Sequence, residues 1–215
     1  MMRWGMVIDL KKCVGCYSCT VSCKEEHFLP PGIFWNRVLI AHKGKYPVVT
    51  KEILPVLCNH CKEAACVEVC PTGASHKRED GIVLVDSDMC VGCKACIVAC
   101  PYQHRSFFKS YMPYFKDSGY TPPEELGMRL QPLPEGTAVK CTFCVEKIED
   151  GMSKGLMPGD AFEATPACVT ACPTNARVFG DIDDPESEVS NLIRARKGVP
   201  FHPEFETEPS VFYIE

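Results

Sequence analysis

Sixteen cysteines stand in four groups of four along a chain of 215 residues, and no other feature restricts the fold as strongly. The first group is Cys13, Cys16, Cys19 and Cys23 in CVGCYSCTVSC, and the second is Cys58, Cys61, Cys66 and Cys70 in CNHCKEAACVEVC. The third, CVGCKACIVACP, holds Cys90, Cys93, Cys96 and Cys100; the fourth is split between CTFC, with Cys141 and Cys144, and CVTACP, with Cys168 and Cys172. An even count permits a disulfide framework, but such frameworks belong to short secreted chains. The start MMRWGMVIDL offers neither the apolar run nor the small-residue cleavage site of a secretory signal, so the chain is expected to stay where it is made. Thiolate ligation of metal is the better reading.

Two CxxC pairs suit zinc, which takes four thiolates in a closed tetrahedral site. The third group is built differently: three cysteines at gaps of two, then a fourth after a gap of three and a proline directly behind it. The triplet wraps a loop whose sulfurs face one centre. After Cys96 the chain can enter a helical turn, whose rise of ~1.5 Å per residue carries Cys100 about 6 Å onward to a second centre. Pro101 then ends the turn. This is the bacterial ferredoxin run, in which the fourth cysteine ligates the other cluster of a pair.

Two-cluster logic makes the groups work in pairs. Groups two and three are joined by PTGASHKREDGIVLVDSDM, which reads as a hairpin turning at Arg78-Glu79-Asp80-Gly81 before the β-branched run Ile82 to Val85. They are expected to form one module, leaving groups one and four to pair across the length of the chain. The predicted ligand sets are Cys13, Cys16, Cys19 and Cys172 for site A and Cys23, Cys141, Cys144 and Cys168 for site B. Site C takes Cys58, Cys61, Cys66 and Cys100, and site D takes Cys70, Cys90, Cys93 and Cys96. The expected fold is α+β: two ferredoxin-like modules related by a pseudo-twofold, one inserted in the other. Residues 1–50 with 138–185 make the first, 51–105 the inserted second, 106–137 an insertion loop, and 186–215 a tail packing on both.

A formal charge of -5 and a pI near 5.7 give no basic footprint for nucleic acid. No apolar run approaches the roughly 20 residues of a spanning helix. Four [4Fe–4S] clusters on sixteen thiolates would bring the holoprotein to about -13. Sulfur-directed amides must share that load, and Gly15 and Gly92 let the backbone turn tightly enough to supply them, although both also suit an ordinary turn. Residues 101–139 and 146–166 read as long surface loops, the first carrying Phe107, Phe108, Tyr111, Tyr114 and Phe115 either to cover clusters or to dock a partner. His27, His42, His60, His76, His104 and His202 are expected in surface or hydrogen-bonding roles, and Trp4 and Trp35 in the core or an interface. No phosphate-cradling loop or nucleophile elbow is present. Each cluster would be closed by four thiolates, so no catalytic residue or substrate site is expected; the chain should move single electrons.

The order of the groups, with CPTGAS after the second, CPY and Arg105 after the third, PACVTACP in the fourth, then ARVFGDIDDPES and a closing VFYI, resembles the iron–sulfur electron-transfer subunits of the dimethyl-sulfoxide-reductase family of molybdenum enzymes. The start GMVIDLKKCVGC is most similar to the small subunits of respiratory arsenate and polysulfide or thiosulfate reductases. The resemblance implies a large catalytic subunit holding molybdenum or tungsten on a pterin, and a quinone-linked membrane subunit or soluble carrier at the other end of the wire. It also implies that such a chain works in the cytoplasm or reaches the periplasm folded, with a partner bearing a twin-arginine signal. Two features depart from the pattern: Lys24 stands where the other groups have proline, and the segment between Cys144 and Cys168 is enlarged. A free polyferredoxin serving several enzymes and a zinc structural protein are the alternative readings.

Overall fold

The computed structural model describes residues 2–215 and has an α+β fold of short helices and four small sheets. Its centre is β1 (Trp4–Asp9), all six residues of which are buried. Its alternating side chains serve two cores, as the period of a strand requires. Trp4, Met6 and Ile8 enter the main core, while Val7 packs with Val189 and Ile214 on the other face.

The chain continues through α1 (Ser18–Glu26), β2 (Asn36–Lys45), β3 (Val48–Leu57), α2 (Ala65–Glu68), β4 (Ser75–Lys77), β5 (Val83–Val85) and α3 (Ala95–Ala99). It then forms β6 (Ser106–Phe108), α4 (Pro122–Leu130), β7 (Thr137–Val139), α5 (Val145–Ser153), α6 (Ala167–Thr170), β8 (Arg177–Asp181), α7 (Glu188–Ala195), β9 (Val199–Pro200) and β10 (Val211–Ile214). The main sheet has the order β8-β1-β10-β9. β8 runs antiparallel to β1, with Ile8 opposite Arg177, and β10 runs parallel to it, with Met6 opposite Val211. The segments that flank the first and fourth cysteine groups therefore meet as neighbouring strands. The C-terminal tail does more than pack on the rest, since β9 and β10 are strands of this sheet.

β4 and β5 pair antiparallel around Arg78–Gly81, the hairpin expected between groups two and three. β2 and β3 form a longer ribbon of ten facing pairs. The first and third cysteine groups share a loop conformation: Gly15 and Gly92 have φ of 68° and 67°, and Tyr17 and Lys94 have 62° and 65°. At Gly92 the requirement is strict, because a Cβ would lie 2.3 Å from the Gly136 carbonyl oxygen. The short helix after each loop ends at its last cysteine where proline follows; Cys100 is already extended, at φ -74° and ψ 108°. α1 has Lys24 in that position and runs on to Glu26. The Lys24 ammonium donates to the Pro30 and Ile33 carbonyls, each at 3.0 Å, and thereby pins the chain that leaves the helix.

The two segments read as surface loops hold regular structure. α4 opens on TPPEE, where the Glu124 carboxylate accepts from the Thr121 N–H at 2.7 Å, and its prolines stand in the first turn. This is a capping box with N-terminal proline, a local signal that apolar periodicity does not report. β6 and β7 pair across the same segment, and Phe108 is buried in the main core while Phe115 is exposed. α5 likewise lies within the second supposed loop. Val145 and Ile148 face the core, and Gly151 sits where a Cβ would come within 2.3 Å of the Ala164 Cβ, so this glycine serves helix packing rather than a turn.

Candidate metal centres

All sixteen cysteines are free thiols. Cys13, Cys16, Cys19 and Cys172 line one cavity, bordered by Gly15, Val38 and Pro55. Cys70, Cys90, Cys93 and Cys96 line another. Each of these quartets joins three cysteines of one group to the last cysteine of a different group. Cys23 is buried within electrostatic reach of Cys141, Cys168 and Cys144, and its burial followed by their charges pushes its thiol well above the usual range. Cys61 is in the same relation to Cys58, Cys66 and Cys100; burial dominates and, despite a hydrogen bond from Thr207, raises it to about 12.

The quartets adjoin one another. Cys168 lies within the field of Cys19, and Cys141 within that of Cys58. Arg105 reaches Cys66, Cys58 and Cys96 together. Burial also lifts Cys141 to about 12, so ligation of metal at these thiols must displace protons that burial holds in place. Cys70 differs: burial raises its thiol, but the Ser75 N–H, the Thr72 hydroxyl and N–H and the Ala74 N–H outweigh that and bring it to about 7.

Three histidines expected at the surface or in hydrogen bonds, His42, His76 and His202, are exposed, whereas His27 and His60 are buried beside cysteines. His27 Nε2 lies 3.3 Å from the Cys144 sulfur. His60 stacks on Phe143 with ring centroids 3.8 Å apart, and its Nδ1 accepts the Val83 N–H at 3.0 Å. Burial, with the charges of Lys140 and Arg105, holds this imidazole neutral. A neutral ring whose Nδ1 accepts must carry its proton on Nε2, and that Nε2–H has no protein acceptor. Trp4 and Trp35 are both buried.

Thr20, Asn59 and Thr142 also carry buried polar side-chain atoms without partners, and each directly follows a cysteine. Such atoms are costly in a dry interior. Their concentration around the cysteine groups fits sites meant to hold sulfide-rich clusters, because cluster sulfides accept hydrogen bonds. The donor chemistry agrees: the two cavities lined by four cysteines each have no carboxylate or histidine in their walls.

Residues 49–116 match the family model for a 4Fe-4S dicluster domain, and residues 10–26 that for a 4Fe-4S binding domain. The chain is 41% identical to the arsenate respiratory reductase iron-sulfur subunit ArrB of Shewanella sp. (strain ANA-3), over 99% of this chain and 96% of that one. It is 40% identical to a subunit of the selenate reductase of Mesobacillus selenatarsenatis, over 99% of this chain and 72% of the relative. A subunit of the tetrathionate reductase of Salmonella typhimurium is 38% identical over the same shares, 99% and 72%. The chain belongs to the iron–sulfur electron-transfer subunits of the dimethyl-sulfoxide-reductase family. As a member of that family it binds 4Fe-4S clusters and transfers electrons. Among the described residues no helix is long and apolar enough to cross a membrane.

Arg177 of this iron–sulfur chain was not evident as a site residue from its position alone. Its buried guanidinium donates to the Cys168 sulfur at 3.7 Å and to the Cys19 sulfur at 3.5 Å. A signal for it exists, since CPTNAR and CPYQHR repeat one spacing and place Arg177 five residues after Cys172 and Arg105 five after Cys100.

Proposed function

We propose that this chain holds four [4Fe–4S] clusters, at sites A to D with the ligand sets predicted from the cysteine spacing, and conducts single electrons along them. The wire would connect a large catalytic subunit holding molybdenum or tungsten on a pterin with a quinone-linked membrane subunit or a soluble carrier. The observation that carries this reading is the pair of cavities each lined by four thiols drawn from two cysteine groups, Cys13, Cys16, Cys19 and Cys172 in one and Cys70, Cys90, Cys93 and Cys96 in the other. Bound there, a cluster supplies a one-electron couple that needs no bond cleavage. The chain supplies the thiolates, the buried donors and the exclusion of water.

The adjacencies Cys19 to Cys168, Cys141 to Cys58, and Cys66 through Arg105 to Cys96 support the linear order A, B, C, D. At the two ends Cys16 and Cys93 are exposed, where electrons would enter and leave. The pairing of β1 with β8 supports a first module assembled from residues 1–50 and 138–185 around an inserted one at 51–105. The reading is the same in the cytoplasm or, after co-export with a twin-arginine partner, in the periplasm. Copurification at native expression tests it: one large pterin-containing chain is expected, and several unrelated redox enzymes in its place would indicate a free polyferredoxin.

A further inference from the structure

Arg105, Lys140 and Arg177 are 5%, 3% and 4% exposed, and none of them joins an ion pair among the described residues. A buried cation with no carboxylate beside it carries a desolvation cost that other partners must offset. What the two arginines have beside them is cysteine sulfur. Arg177 donates to Cys168 of site B and to Cys19 of site A, and is steadied by Met6 Sδ at 3.5 Å and Asn36 Oδ1 at 3.1 Å. Arg105 donates to Cys66 of site C at 3.0 Å and is held by Ser75 Oγ at 2.6 Å, and its charge also bears on Cys96 of site D. The Lys140 ammonium rests on the Cys141 carbonyl oxygen, and its charge bears on Cys141 of site B and Cys66 of site C.

The placement is regular. Each arginine bears on the third cysteine of one group and the third cysteine of that group's partner: Arg177 donates to both Cys19 and Cys168, and Arg105 donates to Cys66 with Cys96 within reach of its charge. Lys140 occupies the one remaining junction. Resting on the ligand sets proposed for sites A to D, we infer that Arg177, Lys140 and Arg105 are three internal counter-cations, one at each junction A/B, B/C and C/D, each raising the reduction potentials of the two clusters it separates.

The physical basis is the charge of the reaction itself. Reduction adds one negative charge to a cluster that is already anionic with its four thiolates, and the neighbouring cluster repels that charge in a medium of low dielectric constant. A fixed cation between them favours the more negative state of both. No proton need move, and no group need titrate. The three residues would act as positioning charges, since none of them is a cluster ligand and each would act through its field.

Redox-titrated EPR of the anaerobic holoprotein tests this, with each signal assigned through ligand Cys→Ser variants. Iron and acid-labile sulfide in the unmodified chain come first, and their absence would end the reading of the sites rather than this inference. Given clusters, Arg177→Met should lower the potentials of A and B and leave C and D in place. The expected change is at least tenfold in the reduced-to-oxidised ratio at fixed potential, which is about 59 mV for a one-electron couple. Arg105→Met should act on C and D, and Lys140→Met on B and C. Arg177→Lys keeps the charge and should restore A and B to near native values. Unmoved potentials in the Met variants, equal shifts at all four sites, or a lysine variant displaced as far as the methionine one would each overturn the inference. Should Arg177→Met lose iron, Lys140→Met decides: B and C move together, or the inference fails.

Discussion

In the proposed ligand sets Cys100 is the residue that ties two centres together. α3 ends just before it and Pro101 follows, so its sulfur leaves the line of Cys90, Cys93 and Cys96 and joins the surroundings of Cys61 instead. Cys100→Ser should therefore disturb chiefly the cluster held by Cys58, Cys61 and Cys66, read as loss or change of one EPR signal; selective loss of the cluster of Cys90, Cys93 and Cys96 would contradict the crossed pairing. His104 gives a pH-dependent test away from the ligands. Burial, and then the Arg37 guanidinium, depress it from 6.5 to about 4, and Arg37 donates to its Nδ1 at 3.3 Å. The folded chain thus binds this proton less readily than the unfolded one. Stability from this group is complete above 6.5 and falls toward pH 4, by at most about 1.4 kcal/mol per unit. His104→Asn should flatten that part of the slope in denaturant titrations at pH 7 and pH 5, and an unchanged slope would show that the imidazole is not held neutral.

At the scale of elements, the cysteine-bearing loops and their short helices were legible because glycine, proline and fixed spacing act locally. The β4–β5 hairpin was legible for the same reason, its turn residues standing between two short runs. α4 and α5 were not, and for different reasons. α4 has a readable cap but only Gly127 buried, so no apolar stripe marks it. In α5 the glycine that looks like a breaker is what lets the helix approach Ala164. Gly151→Leu should cost about 1–3 kcal/mol through overpacking, more than the gain of up to about 1 kcal/mol in helix propensity. Ile148→Ala, at 1% exposure in the same helix, should cost about 2–5 kcal/mol. Thermal or denaturant unfolding of both variants checks the assignment, and a stabilised Gly151→Leu would show that α5 does not pack against Ala164.

For the whole molecule, cysteine spacing pointed to the two cavities that four cysteines each line and concealed how the chain's two ends come together. β1 lies between β8 and β10, so residues far apart in sequence build the sheet that carries groups one and four, and no local pattern in VFYI announces that it will run parallel to Met6–Asp9. The burial of the cations was not legible, although CPYQHR and CPTNAR repeat one spacing, because an arginine after a cysteine group reads as a surface residue until the fold encloses it. Long-range pairing and burial are properties of the assembled molecule, whereas ligand spacing is a property of the chain. What the chain declares most directly is its load of iron. Anaerobic purification followed by iron, sulfide and zinc analysis, with spin integration of the fully reduced EPR spectrum, tests this. About sixteen iron and sixteen sulfide per chain, with spins integrating to about four, are the predicted result; zinc without sulfide, or iron for fewer than four cubanes, would contradict it.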